Sequence, residues 1–267
     1  MGQHFLVDKS ILQSIVEAAN LKPDDVVIEI GPGRGVITTA IANFVSKVVA
    51  IELDLQLSVY LDKIFNNFPN VNIINEDARK VDPKMLVGDA EYKVIGNLPY
   101  YAALPIIRGF LEANNKPKIM VVMIQKEVAQ NMQASSGQMN LLSIAVQLFS
   151  NPEIIAYVPP KAFNPQPKVT SAIVKLEVFK KPILNLDSLD EFFKVVKAGF
   201  STKRKQLKNS LSNKLNISNI EAEKLLLEVS IDPKRRAQTL NLKEWGLLYN
   251  CWSLNYKNVD IKSPRQN

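Results

Sequence analysis

The sequence contains little of what disulfide or metal chemistry requires, since its 267 residues include one cysteine, Cys251, and one histidine, His4. One cysteine forms no disulfide within the chain and supplies too few thiolates for a zinc site, so metal binding would depend on carboxylates. Apolar runs are short, and the run at residues 119–124 is far below the ~20 residues of a membrane-spanning helix. The N-terminus shows no signal-peptide pattern, and we expect a cytoplasmic protein without a metal ion or membrane contact.

Positive charge is concentrated in the last third of the chain. Residues 1–185 carry 18 Lys and Arg against 17 Asp and Glu, whereas residues 186–267 carry 15 against 9. This distribution is typical of a segment that faces a polyanion such as nucleic acid, and a solubilising surface is the alternative. The candidate nucleic-acid contacts are Lys203, Arg204, Lys205, Lys208, Lys234, Arg235 and Arg236.

Short β-branched runs alternate with helix-like stretches through the first two thirds of the chain. The runs occupy residues 26–30, 47–51, 71–75, 93–96 and 119–124. The alternation predicts an α/β fold with a mostly parallel, Rossmann-like sheet covered by helices on both faces. Two later strand-like runs, residues 151–158 and 169–179, flank a proline-rich turn and predict an antiparallel hairpin at the sheet edge.

Helical patterns alone follow residue 184. They occupy residues 189–200, 203–215, 220–229 and 242–249. We therefore expect two domains, a cofactor-binding catalytic domain at residues 1–184 and a small all-α, basic domain that binds nucleic acid at residues 185–267.

A glycine-rich turn, Glu29-Ile30-Gly31-Pro32-Gly33-Arg34-Gly35, follows the first run. Glycine lets the backbone adopt positive φ and approach a ligand closely. An oxidoreductase that binds a dinucleotide favours the spacing Gly-x-Gly-x-x-Gly, and Pro32 removes a backbone donor that a pyrophosphate would use. The turn therefore favours a cofactor without phosphates, with an ordinary strand-to-helix connection as the alternative.

Acidic residues follow the second and third runs. Glu52 is placed to accept both hydroxyls of a ribose, and Asp77, beside Ala78, to accept from an adenine amino group. Either residue alone could be a solvated strand end. Because the carboxyl ends of successive parallel strands open into one crevice, the pair favours a ligand site.

Asn97, Leu98, Pro99 and Tyr100 follow the fourth run at the same predicted crevice. The lone pair of an adenine amine is delocalised into the ring, so the nitrogen reacts only when acceptors draw on its protons. The Asn97 side chain and the Leu98 backbone can supply two carbonyl acceptors, and Tyr100 can stack on the base and stabilise positive charge. The tetrapeptide is therefore the candidate catalytic centre for methyl transfer to an adenine amine, with a packed aromatic after a proline-terminated strand as the alternative.

These segments resemble the ribosomal RNA adenine dimethyltransferase family, the small-subunit (16S) enzymes of the KsgA type. The resemblance covers nearly the whole chain and rests on the glycine turn, the Asn97 tetrapeptide, Gly2-Gln3-His4-Phe5-Leu6, Phe163-Asn164-Pro165-Gln166-Pro167-Lys168-Val169, Phe200-Ser201-Thr202-Lys203-Arg204-Lys205-Gln206-Leu207 and Arg236-Ala237-Gln238-Thr239-Leu240. The chain differs from the family at Tyr101-Ala102-Ala103, where Asn-Ile-Ser/Thr is common.

The resemblance implies a methyltransferase that uses S-adenosyl-L-methionine, with the N-terminal segment folded over the methionine end of the cofactor. The cofactor contacts that the resemblance implies are His4, Leu6, Gly31, Glu52, Asp77 and Asn97, and their neighbours Gly33 and Ala78 are further candidates. The implied substrate is two adjacent adenines near the 3′ end of 16S ribosomal RNA in the immature small subunit, each taking two methyl groups, and we expect the enzyme to act as a monomer. The alternatives are a large-subunit (23S) adenine methyltransferase of the antibiotic-resistance type and a non-catalytic RNA-binding assembly factor.

Overall fold

The computed structural model of this protein describes residues 3–256, so Gly2 of the N-terminal motif and residues 257–267 of the predicted helical domain lie outside the described residues. The described chain divides into two compact units, residues 3–133 with 149–181 and residues 134–148 with 182–256. The second unit thus begins slightly before the predicted boundary at residue 184. It also includes residues 134–148, which the sequence analysis assigned to the first domain.

The strands all belong to the first unit. In chain order they are β1 (Phe5–Leu6), β2 (Val26–Ile30), β3 (Lys47–Glu52), β4 (Val71–Asn75), β5 (Tyr92–Asn97), β6 (Ile119–Gln125), β7 (Ser150–Val158), β8 (Phe163–Asn164) and β9 (Ser171–Val178). A seven-stranded sheet has the order β4-β3-β2-β5-β6-β9-β7, and β1 pairs with β8 in a separate two-stranded sheet. The sheet is parallel from β4 to β6, while β9 runs antiparallel to both β6 and β7. The predicted α/β class, the mostly parallel sheet and the antiparallel pair at its edge are confirmed.

The helices of the first unit are α1 (Lys9–Ala19), α2 (Val36–Ala42), α3 (Leu55–Phe65), α4 (Pro83–Val87), α5 (Ala103–Glu112) and α6 (Lys126–Met132). Helix α1 is an addition to the elements predicted from the sequence, although its signals are present there. Asp8 caps the helix by accepting from the backbone N–H groups of Ser10 and Ile11. The apolar positions recur at helical spacing, and Ile15 and Ala19 join the core against β6.

The second unit contains α7 (Leu141–Gln147), α8 (Leu189–Phe200), α9 (Leu207–Leu215), α10 (Asn219–Glu228) and α11 (Leu242–Tyr256). A Cβ on Gly199 would lie 2.4 Å from the buried Trp245 ring, so glycine permits the close packing of α8 against α11. The loop before α7 is held in this unit because the backbone N–H groups of Gly137 and Met139 both donate to the carbonyl of Gln238. No helix within residues 3–256 is long and apolar enough to cross a membrane.

Two predicted helix bounds in this unit are wrong. The helix expected at residues 203–215 begins at Leu207, so Lys203, Arg204 and Lys205 lie in the turn before α9. The helix expected to end at residue 249 continues to Tyr256. The positively charged residues 203–205, which were expected in the first turn of a helix, therefore lie in the loop that precedes α9.

Candidate active site

A cavity of about 510 Å³ opens at the carboxyl ends of the parallel strands, entirely within the first unit. The structure brings every candidate catalytic and cofactor-binding residue to its wall: His4, Leu6, Gly31, Gly33, Glu52, Asp77, Ala78, Asn97, Leu98, Pro99 and Tyr100. Parallel strands place their C-terminal residues at one edge of the sheet, which explains why positions far apart in sequence meet here.

The glycine turn after β2 forms one wall of the cavity. Gly31, Gly33 and Gly35 all have φ between 59° and 77°, a region that side chains disfavour. A Cβ on Gly31 would lie 3.1 Å from the Asn97 carbonyl oxygen, and one on Gly33 would lie 3.2 Å from the Phe5 ring. Glycine is therefore needed both for the backbone conformation and for the close approach of the turn to its neighbours.

Glu52 lies at the end of β3, almost completely buried at 4% exposure. One carboxylate oxygen accepts from the backbone N–H of Gly33 at 3.1 Å, and the other accepts from that of Asp54 at 3.0 Å. Burial raises the pKa of Glu52 despite these hydrogen bonds. The carboxylate is fixed beside the glycine turn with lone pairs still available for hydroxyl donors.

Asp77 forms a two-pronged ion pair with Arg79, a residue that the sequence analysis did not single out. Arg79 donates from Nε to Asp77 Oδ1 at 2.9 Å and from Nη2 to Oδ2 at 2.5 Å. The hydrogen bonds from Arg79 lower the pKa of Asp77 to about 2. The spacing Asp77-Ala78-Arg79 is the sequence signal for this pair. The pair places the Arg79 guanidinium on the carboxylate that is proposed to accept from the adenine of the cofactor.

The N-terminal segment crosses the cavity because β1 pairs with β8, Phe5 opposite Asn164 and Leu6 opposite Phe163. His4 Nδ1 lies 2.7 Å from the carbonyl oxygen of Pro165, and because a carbonyl only accepts, this contact requires the tautomer with a proton on Nδ1. The Arg34 guanidinium lies 4.5 Å from the centroid of the Phe5 ring. The Phe-x-Pro-x-Pro segment therefore acts as the support for the N-terminal residues.

The amide of Asn97 is oriented by that same segment. Asn97 Nδ2 donates to the carbonyl oxygen of His4 at 3.0 Å, which leaves Oδ1 as the group available to accept. The backbone N–H of Leu98 donates to the Met123 carbonyl at 3.1 Å. The hydroxyls of Tyr100 and Ser171 lie 2.8 Å apart, and this hydrogen bond holds the tyrosine ring. Ser171 is 71 residues from Tyr100, and no local pattern in the sequence predicts the contact.

A buried carboxyl group lies behind the glycine turn. Glu29 of β2 has no exposed surface, and its Oε2 accepts from the Thr38 hydroxyl at 2.6 Å. Among the described residues, Glu29 Oε1 has no hydrogen-bond partner. Burial raises the pKa of Glu29 to about 7. The sequence pattern indicates Glu29 only as part of the glycine-rich turn, and it gives no sign of this burial.

The two basic segments of the second unit lie side by side. The backbone N–H of Leu207 donates to the Arg235 carbonyl at 2.7 Å, which joins the turn before α9 to the segment at residues 233–236. Two of the candidates are engaged in ion pairs, Lys208 with Glu223 at 2.8 Å and Arg235 with Glu244 at 2.5 Å. The other five candidates are exposed: Lys203, Arg204, Lys205, Lys234 and Arg236. No group of three or more potential metal ligands occurs in the described part of the chain.

Comparison with known proteins places this arrangement in a family. The chain is 45% identical over 249 residues to ribosomal RNA small subunit methyltransferase A of Dehalococcoides mccartyi, which covers 93% of this chain and 86% of that protein. It is also 45% identical to the protein of the same name from Alkaliphilus metalliredigens, covering 93% and 89%.

Two solved structures share the fold over nearly the whole chain. A dimethyladenosine transferase from Plasmodium falciparum has a TM-score of 0.81 at 27% identity, covering 94% of this chain and 98% of that one. The 23S rRNA methyltransferase ErmE has a TM-score of 0.75 at 25% identity, covering 92% and 98%. The family described as ribosomal RNA adenine dimethylase matches residues 1–247. Because this match spans both units and the whole cavity, the chain belongs to the ribosomal RNA adenine dimethylase family.

Proposed function

We propose that this protein is an S-adenosyl-L-methionine-dependent ribosomal RNA adenine N6-dimethyltransferase. Its substrate is two adjacent adenines near the 3′ end of 16S ribosomal RNA in the immature small subunit, and it acts during small-subunit biogenesis as a cytoplasmic monomer. The observation that carries the proposal is the Asn97 amide, whose N–H is engaged by the His4 carbonyl so that Oδ1 remains to accept from an amine. The small-subunit substrate is supported by relatives of that name at 45% identity, against 25% for the 23S enzyme.

The cavity fits a nucleoside cofactor that lacks phosphates. Glu52 and Asp77 place two carboxylates on its wall, and these suit hydroxyl and amine donors. Glu52 accepts from the ribose hydroxyls, Asp77 from the adenine amine, and the glycine turn provides backbone contacts free of side chains. When bound, S-adenosyl-L-methionine supplies a methyl group on a positively charged sulfur, ready for displacement by a nucleophile. His4 and Leu6 cover the methionine end.

The reacting centre makes a poor nucleophile reactive through hydrogen bonds and position. Asn97 Oδ1 and the Leu98 carbonyl accept hydrogen bonds from the two N–H groups of the target amine, so the nitrogen becomes pyramidal and its lone pair is localised. The Tyr100 ring, fixed through Ser171, stacks on the base and stabilises the positive charge that develops there. The methylated amine is acidic enough to release its proton to solvent, so the site needs no general base. Proximity and alignment provide most of the rate enhancement.

The second unit would hold the RNA through phosphate contacts. The two basic segments are joined by the Leu207 to Arg235 hydrogen bond, which gathers the exposed cations on neighbouring stretches of backbone. Such contacts position an RNA without reading its sequence. Base selection is therefore assigned to the cavity in the first unit.

The test is methyl transfer from labelled S-adenosyl-L-methionine by the purified full-length protein. We expect label on adenines of immature small subunits, and no label with Asn97→Ala, which removes the acceptor. Label on large-subunit RNA instead would replace the proposed substrate with the 23S alternative. Binding of small subunits without transfer by the unaltered protein would support the assembly-factor alternative and refute the enzyme.

A further inference from the structure

An exposed tyrosine lies on β7, the outermost strand of the seven-stranded sheet, and outside the cavity. Tyr157 near the end of β7 is 48% exposed, although large aromatic side chains usually bury most of their surface. The Lys126 ammonium lies 4.9 Å from the centroid of its ring, and Gln130 Nε2 donates to its hydroxyl at 3.4 Å. Lys126 and Gln130 are themselves exposed residues of α6. We call these three residues the tyrosine platform.

The platform lies close to the reacting centre. Tyr157 pairs with Ala172 of β9, and the adjacent residue Ser171 is hydrogen-bonded to the Tyr100 hydroxyl. From the spacing of paired and consecutive Cα atoms, the Cα atoms of Tyr157 and Ser171 are within about 10 Å of each other. Because β7 runs in the same direction as β6, the carboxyl end of β7 lies at the end of the sheet where the cavity opens.

An extra residue in β7 determines which face of the sheet Tyr157 occupies. The register shifts between Ile154 and Ala156, so that Tyr157 pairs with Ala172. Without this bulge, Tyr157 would lie opposite Ser171, on the face where the Ser171 hydroxyl meets Tyr100. The bulge thus places the ring on the opposite face, where it contacts Lys126 and Gln130 of α6, as bulges near active sites commonly re-aim side chains.

The charge around the platform favours an anionic partner. Residues 154–176 contain three lysines and no Asp or Glu. Two of these lysines, Lys161 and Lys168, are exposed in the segment that joins β7 to β9. An exposed aromatic ring with cations on an otherwise uncharged segment is the combination that binds single-stranded nucleic acid.

We propose that the tyrosine platform binds an unpaired nucleotide next to the target adenine in the same RNA strand. The contact of a cation with an exposed ring is favoured by a factor of roughly two to five, whereas stacking of a base on such a ring strengthens binding roughly 5- to 150-fold. The base therefore displaces Lys126 from the ring of Tyr157. The released ammonium is then positioned to contact the phosphate of that nucleotide. This assignment rests on the proposed RNA substrate.

The test measures binding of a single-stranded eight-nucleotide oligoadenylate containing one 2-aminopurine, whose fluorescence falls on stacking. Tyr157→Ala should weaken binding by about 5- to 150-fold and remove most of the quenching, while Tyr157→Phe retains both. Lys126→Gln should reduce the slope of log affinity against log salt by about 1. The matched control is Tyr60→Ala, because Tyr60 of α3 is 47% exposed and lies outside the cavity and away from this edge.

An unchanged affinity for S-adenosyl-L-methionine serves as the check that each variant is folded, because none of these residues lines the cavity. If Tyr157→Ala loses that affinity, Tyr157→Leu takes its place. Binding of RNA by the alanine or leucine variant within twofold of the unaltered protein, or an equal loss with Tyr60→Ala, would overturn the platform. The comparison needs no turnover, so a protein that binds RNA through Tyr157 but transfers no methyl group would refute the proposed function alone.

Discussion

Ionisation of Glu29 is expected to destabilise the fold across the neutral pH range. The side chain has no exposed surface, the Thr38 hydroxyl donates to Oε2, and Oε1 has no hydrogen-bond partner among the described residues. Burial raises its pKa from 4.5 to about 7. The folded protein therefore keeps a proton on Glu29 at pH values where the unfolded chain has released it, so the free energy of unfolding must fall as the pH rises.

The size of the effect follows from the two pKa values. A rise from 4.5 to about 7 corresponds to roughly 3 kcal/mol of stability that is fully present below pH 4.5 and lost above pH 7. About 2 to 3 kcal/mol of this loss falls between pH 5 and pH 8. Glu29→Gln keeps the shape and the acceptor for Thr38 but cannot ionise. The variant should therefore lack this component of the pH dependence.

The assay is urea unfolding of the unaltered protein and of Glu29→Gln at pH 5, 6, 7 and 8. The difference between the two free energies of unfolding isolates Glu29, because every other titrating group is common to both proteins. Glu153→Gln, at an exposed position, serves as the control and should leave the pH dependence unchanged. Thr38→Val removes the hydrogen bond and should extend the loss to higher pH. If the free energy of unfolding changed with pH in the same way for the unaltered protein and for Glu29→Gln, the reasoning would be refuted.

Three further predictions concern binding and turnover. Arg79→Ala should tighten S-adenosyl-L-methionine binding about two- to fivefold by calorimetry, since it frees Asp77 from an exposed ion pair; weaker binding would mean that Arg79 itself holds the cofactor. Tyr100→Ala should lower kcat far more than cofactor affinity, and equal losses in both would contradict stacking on the target base. Lys205→Gln should reduce the salt slope of RNA binding by about 1, whereas the ion-paired Lys208→Gln should change it less; the reverse order would argue against the exposed turn as the RNA contact.

The sequence predicts those parts of the molecule that depend on local patterns. The buried β-branched runs identify the central strands, such as β2 and β3, because a strand covered on both faces is apolar at most of its positions. The acidic residues at the ends of β3 and β4 reach the cavity because strand direction alone brings them to one edge. These inferences need no knowledge of distant contacts.

Contacts between distant segments are what the sequence could not predict. The pairing of Phe5 with Asn164 and the bond between Tyr100 and Ser171 join positions whose local patterns show no complementarity. Residues 134–148 look like a continuation of the first domain, yet Gln238 accepts two backbone hydrogen bonds from them and holds them in the second unit. Backbone groups of any residue type can make such hydrogen bonds, so the amino-acid sequence of residues 134–148 does not indicate them.

One such contact explains why motifs that are far apart along the chain belong to the same site. Asn97 can present Oδ1 to an amine only while its N–H is held by the His4 carbonyl. His4 is held in turn by the Pro165 carbonyl and by the pairing of β1 with β8. Phe163, buried in the core, anchors β8 to the rest of the unit. The proline-rich segment and the N-terminal segment therefore form one support for Asn97, and the acceptor geometry of the reacting centre depends on residues that need not touch the substrate.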